Sequence, residues 1–318
     1  MIRALTASVL GIVVSGALLA GSVPGLSAGA GAQTGRTTRT LFASVLAKDG
    51  APVTDLTAAD FEVKEGGKTQ EITSAKLATM PLRVHVIVSD SGTGAFQLGM
   101  LRLAQALINR SEFAFTSVLV QPVRVMPFTS NGDLIGEGLQ KLGRRGDGRG
   151  ASQLMEAMSD ALKDIAAPGR HPVLVVLRMG GESTSTISHQ PVREALRTTG
   201  TTLYVIARAG ASKAPIGSAS VPTSSAEAAQ QQGAEADRSD ALLNLNLVLG
   251  DGSRESGGFQ LETSLTSAVP ALDTLTAELK NQYEITYVLP AGIKPSDRVQ
   301  VSTKRKNVTL RAPQKIAN

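Results

Sequence analysis

The chain has no cysteine among its 318 residues, only 3% aromatic side chains and only three histidines. Without cysteine there are no disulfides, no thiol catalysis and no lipidated N-terminal cysteine, so an exported form must be held by its core alone. The scarcity of aromatics removes the stacking platforms of a nucleic-acid groove. The net charge of +5 gathers tightly only at Lys304-Arg305-Lys306 and Arg144-Arg145, which reads as solvated basic surface and implies no nucleic-acid partner. No His is spaced with another His or with carboxylates as a metal pair would be. His85 falls mid-strand, opposite the valine face, and reads as packed or hydrogen-bonded. His171 opens a strand and His189 opens a helix, and both read as surface residues. No Gly-x-Ser-x-Gly elbow occurs; the nearest candidate, Ser91, has Ser89 and Thr93 where the glycines belong, so no catalytic residue is assigned. Beyond the N-terminus no segment is long and apolar enough to span a bilayer.

The N-terminus itself is distinctive. Arg3 precedes an apolar run over residues 5–20, and Ala28-Gly29-Ala30-Gly31-Ala32 follows. That order matches a secretory signal over residues 1–32, cleaved after Ala32 with Ala30 as the other site. The mature protein is expected to be periplasmic or secreted, with no membrane insertion after cleavage.

The centre of the chain is residues 82–98, LRVHVIVSDSGTGAFQL. Leu82, Val84, Val86 and Val88 form one face of a strand, and Asp90-Ser91-Gly92-Thr93-Gly94 turns it into a helix. In parallel βα units of this kind, ligands bind at the carboxyl ends of the strands. Residues 92–97 partly imitate a dinucleotide fingerprint, but Gln97 replaces the third glycine and no acidic residue ends the next strand. This reads as a tight turn with no cofactor, although backbone N–H groups at the helix start can hold an anion such as a partner's carboxylate.

Around this unit the pattern predicts an α/β fold, a mostly parallel sheet with helices on both faces, over residues 80–282. Pro122 joins two short strands through a link too short for a crossover, so that pair is expected to be antiparallel. Residues 211–239, rich in Ala, Ser, Pro and Gln, read as a flexible excursion. Strand-like segments at residues 38–79 and 283–313 are expected to pair as a small split β module into which the α/β domain is inserted.

Residues 61–70, FEVKEGGKTQ, and residues 282–287, QYEITY, resemble the lead-in and ending of bacterial secreted proteins with a VWFA-related domain. Between them the element order is similar to a von Willebrand factor type A domain. The resemblance covers roughly residues 38–313 and implies protein–protein contact. It also implies a divalent-cation site built on an Asp-x-Ser-x-Ser loop, a Thr and a later Asp. Asp90 matches the first Asp and Ser152 the Thr, but Gly92 and Gly94 stand in the Ser places and Met179 in the last Asp's place. Hard cations require oxygen ligands, so the expectation is a type A fold without metal. Contact with a protein partner then falls to the loops, at Asp90, Ser91, Gly92, Thr93, Gly94, Arg149, Ser152, Met179, Gly180 and Gly181. Two other readings stay open. One is a metal-dependent adhesin in which Ser91 and Thr93 take the Ser places, and the other is an envelope hydrolase. Arg145-Gly146-Asp147 reads as a solvated turn.

Overall fold

The chain is described from a computed structural model, which covers residues 36–90, 92–143, 152–180, 184–210 and 224–317. The signal segment with Ala32, and Ser91, Arg149, Gly181 and residues 211–223, lie outside the described residues.

In chain order the strands are β1 (Thr37–Ala47), β2 (Phe61–Glu65), β3 (Lys68–Leu77), β4 (Leu82–Ser89), β5 (Ser111–Val118) and β6 (Pro122–Thr129). They continue with β7 (His171–Arg178), β8 (Thr202–Arg208), β9 (Phe259–Thr263), β10 (Tyr283–Leu289), β11 (Val299–Thr303) and β12 (Val308–Arg311). The helices are α1 (Gln97–Leu107), α2 (Gly132–Gly143), α3 (Leu154–Asp164), α4 (His189–Thr199), α5 (Ser225–Asn246), the single turn α6 (Ser253–Glu255) and α7 (Ala268–Lys280).

The strands from the two ends of the described chain form one antiparallel sheet, in the order β11-β2-β3-β10-β1-β12. Its core follows the period of two: Tyr283, Ile285, Tyr287 and Leu289 are buried on one face with Leu41, Ala43, Val45 and Val63. The two tyrosine hydroxyls reach partners from that core. Tyr283 donates to the Val53 carbonyl at 3.0 Å and accepts from the Leu56 N–H at 2.9 Å, while Tyr287 donates to Glu65 at 2.6 Å. After β12 the chain turns back to the start of β11. The Val299 N–H donates to the Gln314 carbonyl at 3.1 Å and the Ile316 N–H to the Asp297 carbonyl at 2.9 Å. This draws the free edges of the sheet together, so that it is nearly barrel-shaped.

The second sheet has the order β6-β5-β4-β7-β8-β9 and is mixed. β4 lies between β5 and β7, β8 follows β7 and β9 follows β8, all in parallel register, while β6 runs antiparallel along β5. The expectation of a mostly parallel architecture with a minor β module is therefore corrected. Across both sheets six neighbouring pairs are antiparallel and four are parallel. The antiparallel sheet, with six strands, is as large as the other.

Apolar side chains of β4 and β7 point alternately to two helical layers. Val84, Val86, Val173 and Val175 pack with Met100, Leu103, Leu272 and Leu275 of α1 and α7. Ile87, Leu174 and Val176 pack with Leu154, Met158, Val192 and Leu196 of α3 and α4. α1 and α7 approach so closely that a Cβ on Gly99 would stand 2.7 Å and 2.9 Å from side-chain atoms of Leu272 and 3.3 Å from the Val269 Cα. Gly99→Ala is expected to lower stability by about 1–2 kcal/mol, because overpacking outweighs the helix propensity gained by replacing glycine. The measurement is the midpoint of urea unfolding, and an unchanged or raised midpoint would contradict the packing argument.

Two readings of the sequence need correction here. Of the presumed flexible excursion, residues 225–239 belong to the 22-residue helix α5, which passes without a break into the π-helical turn Leu247–Gly252. His171 is not a surface residue. It is 2% exposed and its ring stacks on Phe42 of β1 with centroids 3.8 Å apart, so it joins the two sheets.

Candidate functional site

β4 and β7 end side by side, with Ser89 opposite Arg178, and the chain leaves β4 through Asp90. The side chain of Asp90 is spent on its own loop. Oδ1 accepts from the Thr93 hydroxyl at 2.7 Å and from the Thr93 N–H at 3.2 Å, and Oδ2 accepts from the Gly94 N–H at 2.9 Å. Gly92 and Gly94 have φ of +94° and +60°, a left-handed conformation that side chains with a Cβ rarely adopt. Glycine at these two places is thus a requirement of the turn, and serine would strain it. Phe96, at the start of α1, is buried and anchors the far side of the loop.

The second loop enters through Ser152, just ahead of α3. Its hydroxyl accepts from the Ser89 hydroxyl at 3.4 Å, its carbonyl accepts from the Thr184 N–H at 3.1 Å, and it is 3% exposed. The third follows β7. The Met179 N–H donates to the Ser89 carbonyl at 2.8 Å, which extends the ladder by one residue and buries the thioether completely among the side chains under α1 and α7. Gly180 is buried, and its carbonyl accepts from the Ser89 hydroxyl at 3.5 Å. The structure therefore brings Asp90, Gly92, Thr93, Gly94, Ser152, Met179 and Gly180 to neighbouring strand ends. Of these seven residues Gly92 and Thr93 are exposed, whereas Ser152, Met179 and Gly180 are covered.

Arg178 was not singled out in the sequence. It closes β7, it is 3% exposed, and its Nη1 has no hydrogen-bond partner among the described residues. Burial pushes its guanidinium below the usual arginine range, partly offset by the Glu262 carboxylate on β9. No local pattern in the sequence gives this burial, which comes from the strands paired on either side of it.

A hard divalent cation takes about six oxygen ligands. In the positions that match the type A pattern, Asp90 has both oxygens engaged, two residues are glycine, Ser152 faces Ser89, and Met179 offers a buried thioether. Arg178, beside Ser89, adds a positive charge that opposes a second cation. Among the described residues no group of three or more His, Asp or Glu side chains is placed to hold a metal. These residues do not fit the cation.

No protein-family model matches the chain, and no curated protein matches it. Solved structures with likeness to it include the vWF domain of the type V pilus tip protein Mfa5 from Porphyromonas gingivalis, 13% identical over 34% of this chain and 40% of that one, with a TM-score of 0.28. This chain thus spans about two fifths of that structure. BatB from Bacteroides thetaiotaomicron is 11% identical over 63% of this chain and 100% of that one, with a TM-score of 0.37. Proximal thread matrix protein 1 from the mussel byssus, with a zinc-occupied MIDAS motif, is 11% identical over 72% of this chain and 50% of that one, with a TM-score of 0.43. At such identities and superpositions these likenesses assign no ligand, partner or activity to the chain.

Proposed function

We propose that the chain is a non-enzymatic, exported binding or scaffolding protein that contacts another protein through the loops at the carboxyl ends of its parallel strands, without a bridging metal. The observation that carries this reading is the closed hydrogen-bond set of Asp90, whose two oxygens accept from Thr93 and Gly94. A carboxylate used in this way fixes a loop. A loop held in shape before contact pays less ordering entropy on binding. Among the described site residues the exposed ones are Gly92 and Thr93, with the rim of Asp90, a polar surface that suits hydrogen bonding to a partner's backbone or side chains.

The test is capture of partners from a cell-envelope extract by the immobilised mature chain, with and without EDTA. Capture is expected to be unchanged by the chelator. Asp90→Ala is expected to weaken it about tenfold, as the freed loop must then be ordered on binding. Capture abolished by EDTA and restored by Mg²⁺ would replace this reading with the metal-dependent adhesin.

A further inference from the structure

At the opposite edge of the parallel strands, where β7 and β8 begin, a cleft of about 560 Å³ opens between β1, the end of α4 and the chain that follows β12. We propose that this cleft binds a small organic carboxylate with an apolar body. The volume lies in the range of small-molecule sites.

The charge on its walls selects an anion. Arg39, Arg193, Arg197 and Lys315 line it, and among the described residues Glu255 is the one lining carboxylate. Glu255 is already engaged, by Arg193 at 2.5 Å and 3.2 Å and by Lys315 at 2.9 Å. The two remaining arginines each hold one carboxylate outside the cleft lining. Arg197 binds Glu194 and Arg39 binds Glu65 at 2.8 Å. Their other N–H groups are directed at backbone carbonyls of the final segment: Arg197 donates to the Ile316 oxygen at 3.0 Å and Arg39 to the Ala317 oxygen. A neutral carbonyl is a weaker acceptor for guanidinium than a carboxylate, by roughly a factor of two in hydrogen-bond strength. An incoming carboxylate can therefore compete for these donors without breaking the backbone bonds of Gln314 and Ile316 that hold the final segment.

The rest of the lining is apolar or uncharged and fixes the second half of the ligand. Leu41, Phe42, Pro172 and Leu196 supply an apolar wall. His171 stacks on Phe42, and its Nδ1 has no hydrogen-bond partner among the described residues. Burial holds this imidazole neutral, so it adds no charge to the cleft. The proposal is independent of the strand-end loops, because none of the residues it uses belongs to them.

The experiment is isothermal titration of the mature chain with sodium benzoate, benzamide and inorganic phosphate at low ionic strength and neutral pH. Benzoate is expected to saturate one site, benzamide to bind about tenfold more weakly, and phosphate not to saturate. Arg197→Met is expected to weaken benzoate about tenfold. Thr198→Glu, a change at an exposed lining residue, is expected to do the same by repulsion. The proposal is overturned if benzoate does not saturate at millimolar concentration, if benzamide binds equally well, or if phosphate saturates the site in place of benzoate. Benzoate affinity unchanged in Thr198→Glu would also overturn it, and that variant decides the matter if Arg197→Met does not fold.

Discussion

Between pH 6.5 and pH 4.5 the protein is expected to lose stability by up to about 3 kcal/mol for each unit the pH falls. Two buried histidines cause this. Burial pushes His85 from its ordinary 6.5 down to about 3, helped by the cations of Arg124 and Arg83 and opposed by Asp164. Burial alone pushes His171 from 6.5 down to about 3. His85 is neutral on β4, where its Nε2 is 2.8 Å from the Thr116 hydroxyl and its ring meets Phe128 edge-on. In the unfolded chain both rings take a proton near pH 6.5, and in the folded chain neither does until about 3. Their contribution is therefore fully present above the unfolded value and is lost as pH falls toward the folded one. Two protons at about 1.4 kcal/mol per unit each give the slope.

One group acts in the opposite sense. Burial raises Glu278 above its ordinary 4.5, so its contribution is present at low pH and is lost as pH rises through its folded value. It cancels at most one of the two protons, and a net loss on acidification remains. The measurement is the urea midpoint across this range. His85→Gln/His171→Gln, which cannot titrate, is expected to be less stable at neutral pH but nearly flat below it. An equal slope in this variant would assign the acid sensitivity to other groups.

The same two histidines show what was legible in the sequence. His85 sits between valines that mark a buried strand, and its packing follows from local pattern. His171 begins a strand, a place usually near solvent, and its burial depends on Phe42, which lies far away in the chain and in the other sheet. A contact of that range leaves no local trace. Strands such as Leu82–Ser89 and helices such as Leu154–Asp164 were legible because apolar spacing and burial coincide in them.

The strand Phe259–Thr263 was not legible. It is a half-buried edge with no clean alternation, and the Gly257-Gly258 pair before it reads as loop. That pair is needed for another reason: a Cβ on Gly258 would stand 2.0 Å from the Leu203 carbonyl oxygen, so glycine lets β9 reach β8. For α5, composition misled. Alanine and glutamine are good helix formers, and a low-complexity run of them is no bar to a helix when its last turns bury Leu245 and the π turn buries Val248. At the candidate site, Asp90, Gly92 and Gly94 could be read from the turn, because φ dictates the glycines. The burial of Arg178 comes from the strands on either side of it.

Arg311→Leu is expected to destabilise the protein by about 3 kcal/mol or more, whereas Glu278→Leu/Arg311→Leu costs much less. Glu278 lies in the last turn of α7 with a side chain that is 0% exposed, and Arg311 of β12 is its ion-pair partner. Arg311 also covers the Phe259 ring of β9 at 4.6 Å, so one guanidinium ties the antiparallel sheet to both α7 and β9 of the mixed sheet. Close by, the buried Tyr204 hydroxyl accepts from the Gln282 side chain at 2.9 Å, and burial raises its pKa well above the ordinary value, so it adds no charge. Arg311 is thus the cation on which the buried carboxylate depends. Removing it alone leaves that carboxylate either charged without a partner or protonated at a cost that grows with pH. Removing both exchanges a partly solvated pair for apolar contact, which such pairs tolerate. A double-mutant cycle by urea unfolding at pH 7 reads the coupling directly. The single variant should also recover relative to wild type as pH is lowered, since protonation relieves only the unpaired carboxylate. A double variant as unstable as Arg311→Leu would mean that Arg311 acts through its packing on Phe259 and not through Glu278.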